Sequence, residues 1–310
     1  MAMSVVRIGT RKSRLALWQA NHVRRLLQRA HPGLKVELVE MITEGDRFLG
    51  APLATVGGKG LFLKELEEGL LNSNIDLAVH SMKDVTVELP AGLLVIAICE
   101  RASPFDALVC AEYQSFDELP EAATVGTTSL RRQCQLRSAY PSLRIESVRG
   151  NVDTRLQKLD EKRFDAMILG VAGLERLGLG ARIRSVVHPD ICVPAAGQGA
   201  IGIECRQDDT FTHQLVLPLN HPPSHICVST ERAANAALGG GCQAPIGIYA
   251  ELDNDIVIVQ GMVGRLDGRE IIRRTVQGPA VDAEAIGALL ADRLLSAGAR
   301  QILQEIYTDV

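Results

Sequence analysis

The sequence predicts a protein of the α/β class with more than one domain. Up to residue 205, short apolar segments typical of strands alternate with longer segments typical of helices, and this alternation predicts parallel βαβ units. The chain has 310 residues, of which 46% are hydrophobic and 23% charged, so it can bury two or three separate cores. Beyond Pro222-Pro223 the pattern changes to β-rich segments between two helices, which predicts a smaller α+β domain.

Each of the three blocks contains its own set of predicted elements. In the first block they are strands at 5–8, 35–41, 77–79 and 93–99 and helices at 13–29 and from Leu61 onward. In the second block they are strands near Leu108 and at 124–126, 144–148 and 166–169, with helices after Ser129 and after Asn151. In the third block they are a helix at 224–238, strands at 246–252, 256–263 and 271–276, and one final helix from Asp282.

Two segments are predicted to carry the chain between the first two domains. Residues 100–104 end in Ser-Pro and leave the first block, and a loop around 193–195 leads to a strand at 200–205 that rejoins the first sheet. The predicted domains are listed by residue as 1–99 with 200–217, 100–199, and 218–310. A double crossing of this kind favours a hinged cleft between two lobes.

Composition narrows the class of function. Aromatic residues make up 4% of the chain and the formal net charge is -4, which disfavours a nucleic-acid partner. No segment approaches the roughly 20 apolar residues that span a bilayer, and no secretory signal is evident, so we expect a cytoplasmic protein without membrane contact. The seven cysteines contain no CxxC pair, so neither a disulfide framework nor a metal site is expected.

Basic and hydroxyl side chains recur where predicted strands end and helices begin. They are Arg11, Ser13, Lys59, Ser129, Arg131, Arg132, Arg149 and Arg155. Parallel α/β sheets bind ligands at the carboxyl ends of their strands, where helix N-termini favour anions, and a guanidinium matches a carboxylate or a phosphate. Each arginine alone is best explained as solvated surface charge, but the loops together predict a receptor for a ligand with several acidic groups.

Two glycine-rich segments resemble nucleotide motifs. Gly197-Gln-Gly199-Ala-Ile-Gly202 fits GxGxxG, but it leads into a predicted strand where a dinucleotide-binding motif would open a helix. Gly57-Gly-Lys-Gly60 lacks the upstream glycine and the following Ser or Thr of a P-loop. We therefore reject a nucleotide site in both cases and interpret Lys59 as part of a flexible, positively charged loop.

Two further residues are candidates for chemistry. Lys83 and Asp84 follow a buried strand, where a carboxylate can exchange protons or stabilise a developing cation; a surface Lys-Asp pair is the commoner outcome. His80 is expected to be a hydrogen-bonded core residue. Cys242 follows three glycines, which leave room for a large group beside its sulfur, so it is a candidate for covalent attachment, with a structural cysteine as the equal alternative.

These segments, with residues 15–20, 61–62 and 203–205 and the run Cys242-Gln-Ala-Pro245, resemble the porphobilinogen deaminase family over nearly the whole chain. The most specific runs are His80-Ser-Met-Lys-Asp84, Ser129-Leu-Arg-Arg132 and Gly240-Gly-Cys242, in that order. The resemblance implies three domains, the first two like the lobes of type II periplasmic binding proteins and the third a smaller α+β domain.

The resemblance also implies a monomeric hydroxymethylbilane synthase. Such an enzyme joins four porphobilinogen molecules head to tail on a dipyrromethane cofactor, here held by a thioether to Cys242, and releases four ammonia molecules and, after hydrolysis, the linear tetrapyrrole hydroxymethylbilane. Asp84 is then the catalytic acid/base that stabilises positive charge. The cofactor-binding residues are Cys242, Lys83, Asp84, Ser129, Arg131, Arg132 and Arg155. The substrate-binding residues are Arg11, Ser13, Arg149, Arg155, Arg176 and Lys59.

Three positions depart from the family's usual pattern. Thr55 stands where lysine is common, Thr86 where proline is common, and Gly239 where glutamate is common. None of them has a role in the implied chemistry, but they affect loops beside it. A non-catalytic two-lobed anion-binding module remains the alternative hypothesis, because it also explains the arginines, and a hydrolase or transferase with Cys242 as a transient nucleophile is a third.

Overall fold

The structure is a computed structural model that describes residues 5–41, 63–241 and 244–308. Some positions named above lie outside the described residues: Thr55, the segment Gly57-Gly-Lys59-Gly60, residues 61–62, and Cys242 with the residue after it. The chain divides into two compact units, Met1–Arg101 with Ala200–His225, and Ala102–Gly199 with Ile226–Val310. The three domain boundaries predicted from the sequence are finer than this division and stay a prediction.

The predicted strands and helices are present in the described residues. The strands are β1 (Val5–Arg11), β2 (Lys35–Met41), β3 (Leu77–Ser81), β4 (Leu93–Ile98), β5 (Asp106–Cys110), β6 (Thr124–Gly126), β7 (Arg144–Glu146), β8 (Ala166–Gly170), β9 (Ile183–Val187), β10 (Ile201–Arg206), β11 (Ile246–Asp253), β12 (Ile256–Gly264) and β13 (Ile271–Pro279). The helices are α1 (Arg14–Ala30), α2 (Lys64–Leu71), α3 (Leu130–Ala139), α4 (Val152–Asp160), α5 (Val171–Arg176), α6 (Thr210–Val216), α7 (Pro222–Ala237), α8 (Ala283–Leu294) and α9 (Arg300–Thr308). Strand β9 and helices α5 and α6 are additional to the prediction.

The first lobe is a five-stranded sheet in the order β2-β1-β3-β10-β4. Strand β1 is parallel to β2 and β3, whereas β10 is antiparallel to β3 and β4, so the second crossing segment does return the chain to the first sheet. Leu77 and Val79 pack with α1, while Ala78 packs with α2. Because successive strand residues point to opposite faces, the two helices cover opposite faces of the sheet.

The second lobe repeats this arrangement. Its sheet has the order β7-β6-β8-β5-β9, with β6 parallel to β7 and β8 and with β5 antiparallel to β8 and β9. In each lobe the antiparallel strand is the one that follows directly on a crossing segment, β5 after the first and β10 after the second. The two lobes therefore have the type II periplasmic binding protein arrangement that the resemblance implies.

The third domain is a three-stranded antiparallel sheet, β11-β12-β13, packed against α7, α8 and α9. Gly287 lets α8 approach α7 closely, because a Cβ atom at this position would lie 2.2 Å from the carbonyl oxygen of Thr230. The predicted final helix from Asp282 is present as α8, but it does not continue to the end of the described residues. The chain kinks at Gly298, which has a φ of 111°, and this left-handed residue separates α8 from α9.

Candidate functional site

Two of the predicted site serines begin helices. Ser13 is the N-cap of α1, and its Oγ accepts a hydrogen bond from the amide of Ala16 at 3.3 Å. Ser129 is the N-cap of α3, and its Oγ accepts from the amide of Arg132 at 3.4 Å. Both helices follow a parallel strand, so each lobe has a helix N-terminus at the carboxyl end of its sheet, where an anion is stabilised.

Asp84 lies in a pocket of the first lobe. Residues Met82–Asp84 form one 3₁₀ turn directly after β3, which brings Asp84 to the carboxyl end of that strand. The pocket is lined by Arg11, Ser13, Leu15, Ala16, Gln19, Leu63, Val79, His80, Ser81 and Asp84. It thus combines a guanidinium and a carboxylate with neutral polar groups and apolar walls, which suits a ligand that carries both acidic groups and positive charge. Lys83, in the same turn, is exposed.

A buried hydrogen-bonded pair lies beside this pocket. Nε2 of His80 is 2.8 Å from Oε2 of Glu204, and the side chains are 3% and 1% exposed. His80 is therefore a hydrogen-bonded core residue, as expected. The other oxygen of Glu204, Oε1, is buried with no hydrogen-bond partner among the described residues. Burial above all, and also the charge of Glu204, raises the pKa of the nearby Glu67.

In the second lobe, two predicted site arginines share one buried carboxylate. Asp106 begins β5; its Oδ2 accepts from Nη1 of Arg131 at 2.8 Å, and its Oδ1 accepts from Nη2 of Arg132 at 2.7 Å. Burial alone would raise the pKa of Asp106, but the two guanidinium groups outweigh it and hold that pKa well below the usual range. Two cations against one anion leave a positive charge inside the lobe.

Arg155 adds to this positive charge. Its Nε donates to the carbonyl oxygen of Gly150 at 2.8 Å, whereas its terminal nitrogens have no hydrogen-bond acceptor in the part of the chain that the structure describes. Burial, followed by repulsion from Arg132, lowers the pKa of Arg155 to about 10. Nε of Arg131 is buried without an acceptor among the described residues. This unmatched donor and the excess positive charge fit a bound carboxylate.

The remaining predicted arginines of this lobe lie on neighbouring segments. Arg149 is half-buried in the loop before α4. Arg176 ends α5, and its Nη2 donates to the carbonyl oxygen of Gly199 at 2.7 Å. The structure thus brings Arg11, Ser13 and Asp84 together in the first lobe, and it groups Arg131, Arg132 and Arg155 in the second.

Sequence reasoning missed three polar residues of these sites. Gln19 lines the first-lobe pocket, and its Nε2 donates to Oγ of Ser81 at 2.7 Å. Asp106 anchors the arginine pair, and Nε2 of Gln198 donates to Oδ1 of Asp106 at 2.9 Å. One signal was available for Asp106, because a single carboxylate before the apolar run Ala107-Leu-Val-Cys110 predicts a buried partner of opposite charge.

Two lobes of this kind, each with a helix N-terminus and basic side chains at the carboxyl ends of parallel strands, define an α/β protein with groups suited to anions. None of the helices in the described residues is both long enough and apolar enough to span a membrane. Residues 6–214 match the family model for the porphobilinogen deaminase dipyrromethane cofactor binding domain, and residues 225–296 match the model for the porphobilinogen deaminase C-terminal domain. The chain belongs to the porphobilinogen deaminase family, whose members act in tetrapyrrole biosynthesis.

Solved two-lobed binding proteins are similar in fold. A putative methionine-binding lipoprotein from Bacillus subtilis matches with 12% identity and a TM-score of 0.45, over 70% of this chain and 90% of that one. A periplasmic substrate-binding protein of an ABC transporter from Coxiella burnetii matches with 14% identity and a TM-score of 0.45, over 71% of this chain and 94% of that one. At these values neither structure says what this chain binds.

Proposed function

We propose that this chain is a hydroxymethylbilane synthase, a transferase that condenses four porphobilinogen molecules head to tail, releases four ammonia molecules and, after hydrolysis by one water molecule, releases hydroxymethylbilane. The observation that carries the proposal is the first-lobe pocket, in which Asp84, Arg11 and Ser13 lie together in a chain of this family. Porphobilinogen has two carboxylates and an amine that must leave, so its binding site needs both cationic groups and an anionic one.

Asp84 has the central chemical role in this proposal. When ammonia leaves the substrate, positive charge develops on the pyrrole, and a carboxylate positioned beside it lowers the energy of that state. The same carboxylate then accepts the proton that the newly joined pyrrole carbon must lose. Arg11 and Ser13 bind substrate carboxylates, with Arg149, Arg155, Arg176 and Lys59 as further contacts.

The residues of the second lobe fit a dipyrromethane cofactor. Arg131, Arg132 and Arg155 would hold its acidic side chains together with Ser129. Lys83 and Asp84 are further proposed cofactor-binding residues. The fit rests on the excess positive charge around Asp106 and on Nε of Arg131, which is buried with no acceptor among the described residues. When bound, the cofactor supplies the pyrrole carbon to which the first substrate is joined.

We propose Cys242 as the point of covalent attachment. The six cysteines within the described residues are all buried. Burial raises the pKa of the Cys134, Cys192 and Cys205 thiols to about 12, so at neutral pH these thiols are protonated and poorly nucleophilic. Cys242 lies outside the described residues, directly after the exposed Gly241. We also propose that the enzyme works as a cytoplasmic monomer.

The test is the intact mass of the purified chain after incubation with porphobilinogen. We expect a mass excess of one dipyrromethane on the wild type and on the control variant Cys227→Ala, but no excess on Cys242→Ala. The same excess on Cys242→Ala would move the attachment to another residue. A bare wild-type chain that binds porphobilinogen without consuming it would replace the proposal with the anion-binding module.

A further inference from the structure

The glycine-rich segment Gly197–Gly199, called the 197–199 loop below, belongs to the second crossing segment and is fixed by a buried carboxylate. Glu231 on α7 has no solvent exposure. Its Oε2 accepts from the amide of Gly197 at 2.6 Å, and its Oε1 accepts from the amide of Ala250 at 2.8 Å. Both oxygens of Glu231 are thus used to join the loop to the third domain.

The loop also contacts the first crossing segment and the arginines. Nε2 of Gln198 donates to the carbonyl oxygen of Pro104 at 2.6 Å and to Oδ1 of Asp106 at 2.9 Å. The carbonyl oxygen of Gly199 accepts from the amide of Ala102 at 3.2 Å and from Nη2 of Arg176 at 2.7 Å. Two residues of the loop, Gln198 and Gly199, therefore join both crossing segments to Asp106 and Arg176.

Backbone geometry requires glycine in this loop. Gly197 and Gly199 have φ angles of 71° and 85°, in the left-handed region where a side chain is strained. A Cβ atom at position 199 would lie 2.5 Å from the carbonyl oxygen of Ala102. The glycines of this GxGxxG segment thus allow two backbone segments to approach each other. Their presence is explained by this packing and not by phosphate binding.

Asp106 connects the 197–199 loop to Arg131 and Arg132. Its Oδ1 accepts three hydrogen bonds, two from Arg132 at 3.1 Å and 2.7 Å and one from Gln198. A shift of Gln198 therefore changes the hydrogen bonding of the carboxylate that holds Arg132. The next residue after the loop, Ala200, accepts from the amide of Met82 at 3.0 Å, in the turn that ends with Asp84.

We propose that the 197–199 loop positions the ligand-binding arginines of the second lobe, so that cofactor and substrate binding depend on Gln198. This inference rests on the proposed function, because it takes Arg132 and Arg176 to bind pyrrole carboxylates. Gln198 is a positioning residue: it acts through Asp106 and the arginines. The second crossing segment accordingly contacts the binding residues of one lobe and the turn of Asp84 in the other.

The test is the variant Gln198→Met, which keeps the shape of the side chain and removes both donated hydrogen bonds. We expect the rate of cofactor assembly from porphobilinogen to fall roughly tenfold and the KM for porphobilinogen to rise roughly tenfold, the usual range for a lost hydrogen bond to a charged group. The kcat of the cofactor-loaded fraction should stay within about twofold, because Asp84 is unchanged.

The control is Thr212→Val, which removes a hydrogen bond of 2.8 Å from a buried hydroxyl to Asp209 in the first lobe. It should lower the melting temperature with no change in KM or assembly rate. If Gln198→Met behaves like this control, the inference is overturned while the proposed function stands. If the wild type itself assembles no cofactor and forms no tetrapyrrole, the proposed function fails first.

Discussion

Each lobe has a buried carboxylate on the strand that follows a crossing segment, at the equivalent position in its sheet. The two carboxylates have different partners. In the first lobe, Glu204 on β10 pairs with His80, a ring that can be neutral, and Glu204 keeps one oxygen without a partner among the described residues. In the second lobe, Asp106 on β5 pairs with Arg131 and Arg132, which are always charged. The buried carboxylate of the first lobe therefore has no guanidinium partner, whereas that of the second lobe has two.

This difference teaches that one scaffold supports two kinds of chemistry. In both lobes, strands end and helices begin at the same edge of the sheet, and a serine caps the helix. The side chains around that edge decide whether the lobe stabilises a cation, as proposed for Asp84, or holds anions, as proposed for the arginines. The fold by itself specifies neither activity.

The largest expected effect separates chemistry from binding. Asp84→Asn should lower the turnover of porphobilinogen by about 100- to 10,000-fold, because the amide neither accepts a proton nor stabilises a full positive charge. Its intact mass should show the same cofactor as the wild type, since the arginines are unchanged. Asp208→Asn, an exposed carboxylate of the same lobe, is the control and should be fully active. Normal turnover of porphobilinogen by Asp84→Asn would show that Asp84 does not have the proposed chemical role.

The matching change in the second lobe should act on stability. Asp106→Asn leaves two buried guanidinium groups without a counter-charge, so the free energy of unfolding should fall by about 3–5 kcal/mol, measured by urea denaturation. Glu204→Gln should cost less, about 1–3 kcal/mol, because a neutral His80 can still hydrogen-bond to the amide. Equal losses of unfolding free energy for Asp106→Asn and Glu204→Gln would show that the two carboxylates contribute equally to stability.

The pH dependence of stability follows from the same pair. The pKa of Asp106 is lowered in the folded state, so its contribution is fully present above the ordinary carboxyl pKa of about 4 and is lost as the pH falls below that value. We expect the melting temperature of the wild type to fall between about pH 4 and pH 2 more steeply than that of Asp106→Asn. If the melting temperatures of the wild type and of Asp106→Asn fell in parallel with pH, the lowered pKa of Asp106 would be contradicted.

Parts of both sites were predictable because local sequence determines them. Ser13 and Ser129 stand between a strand pattern and a helix pattern, which is the sequence signature of an N-cap, and both prove to be caps. His80 was predicted to be a core residue for the same kind of reason. The final helix was predicted without its break, because an isolated glycine such as Gly298 also occurs inside helices.

Other parts depend on contacts between residues distant in sequence. Gln198 meets Asp106 across 92 positions, and His80 meets Glu204 across 124 positions. The arginines were predicted from their loops, but their common carboxylate lies on a strand that reaches the sheet only through a crossing segment. Sequence patterns do not indicate which of two charged side chains, distant in the chain, become neighbours.

Arg155 should show a conflict between stability and binding in the second lobe. Burial and Arg132 lower its pKa to about 10, so below that pH the charged guanidinium opposes folding of the ligand-free chain. Arg155→Met should therefore raise the free energy of unfolding of the cofactor-free protein by about 1–3 kcal/mol at neutral pH, while cofactor assembly slows. A less stable variant would mean that Arg155 is compensated inside the lobe.

The smallest expected effect compares the two helix caps directly. Ser13→Ala and Ser129→Ala each remove an acceptor for one helix-start amide, so each should lower the free energy of unfolding by about 1 kcal/mol, measured by urea denaturation. Ser13→Gly and Ser129→Gly are the controls and should cost only a few tenths of a kcal/mol, because glycine is also a favourable N-cap. Since the two caps have the same geometry, similar losses would show that the lobes differ in charge and agree in local structure. If only one of the two Ser→Ala variants lost stability, the serine of the other lobe would contribute only by binding its ligand.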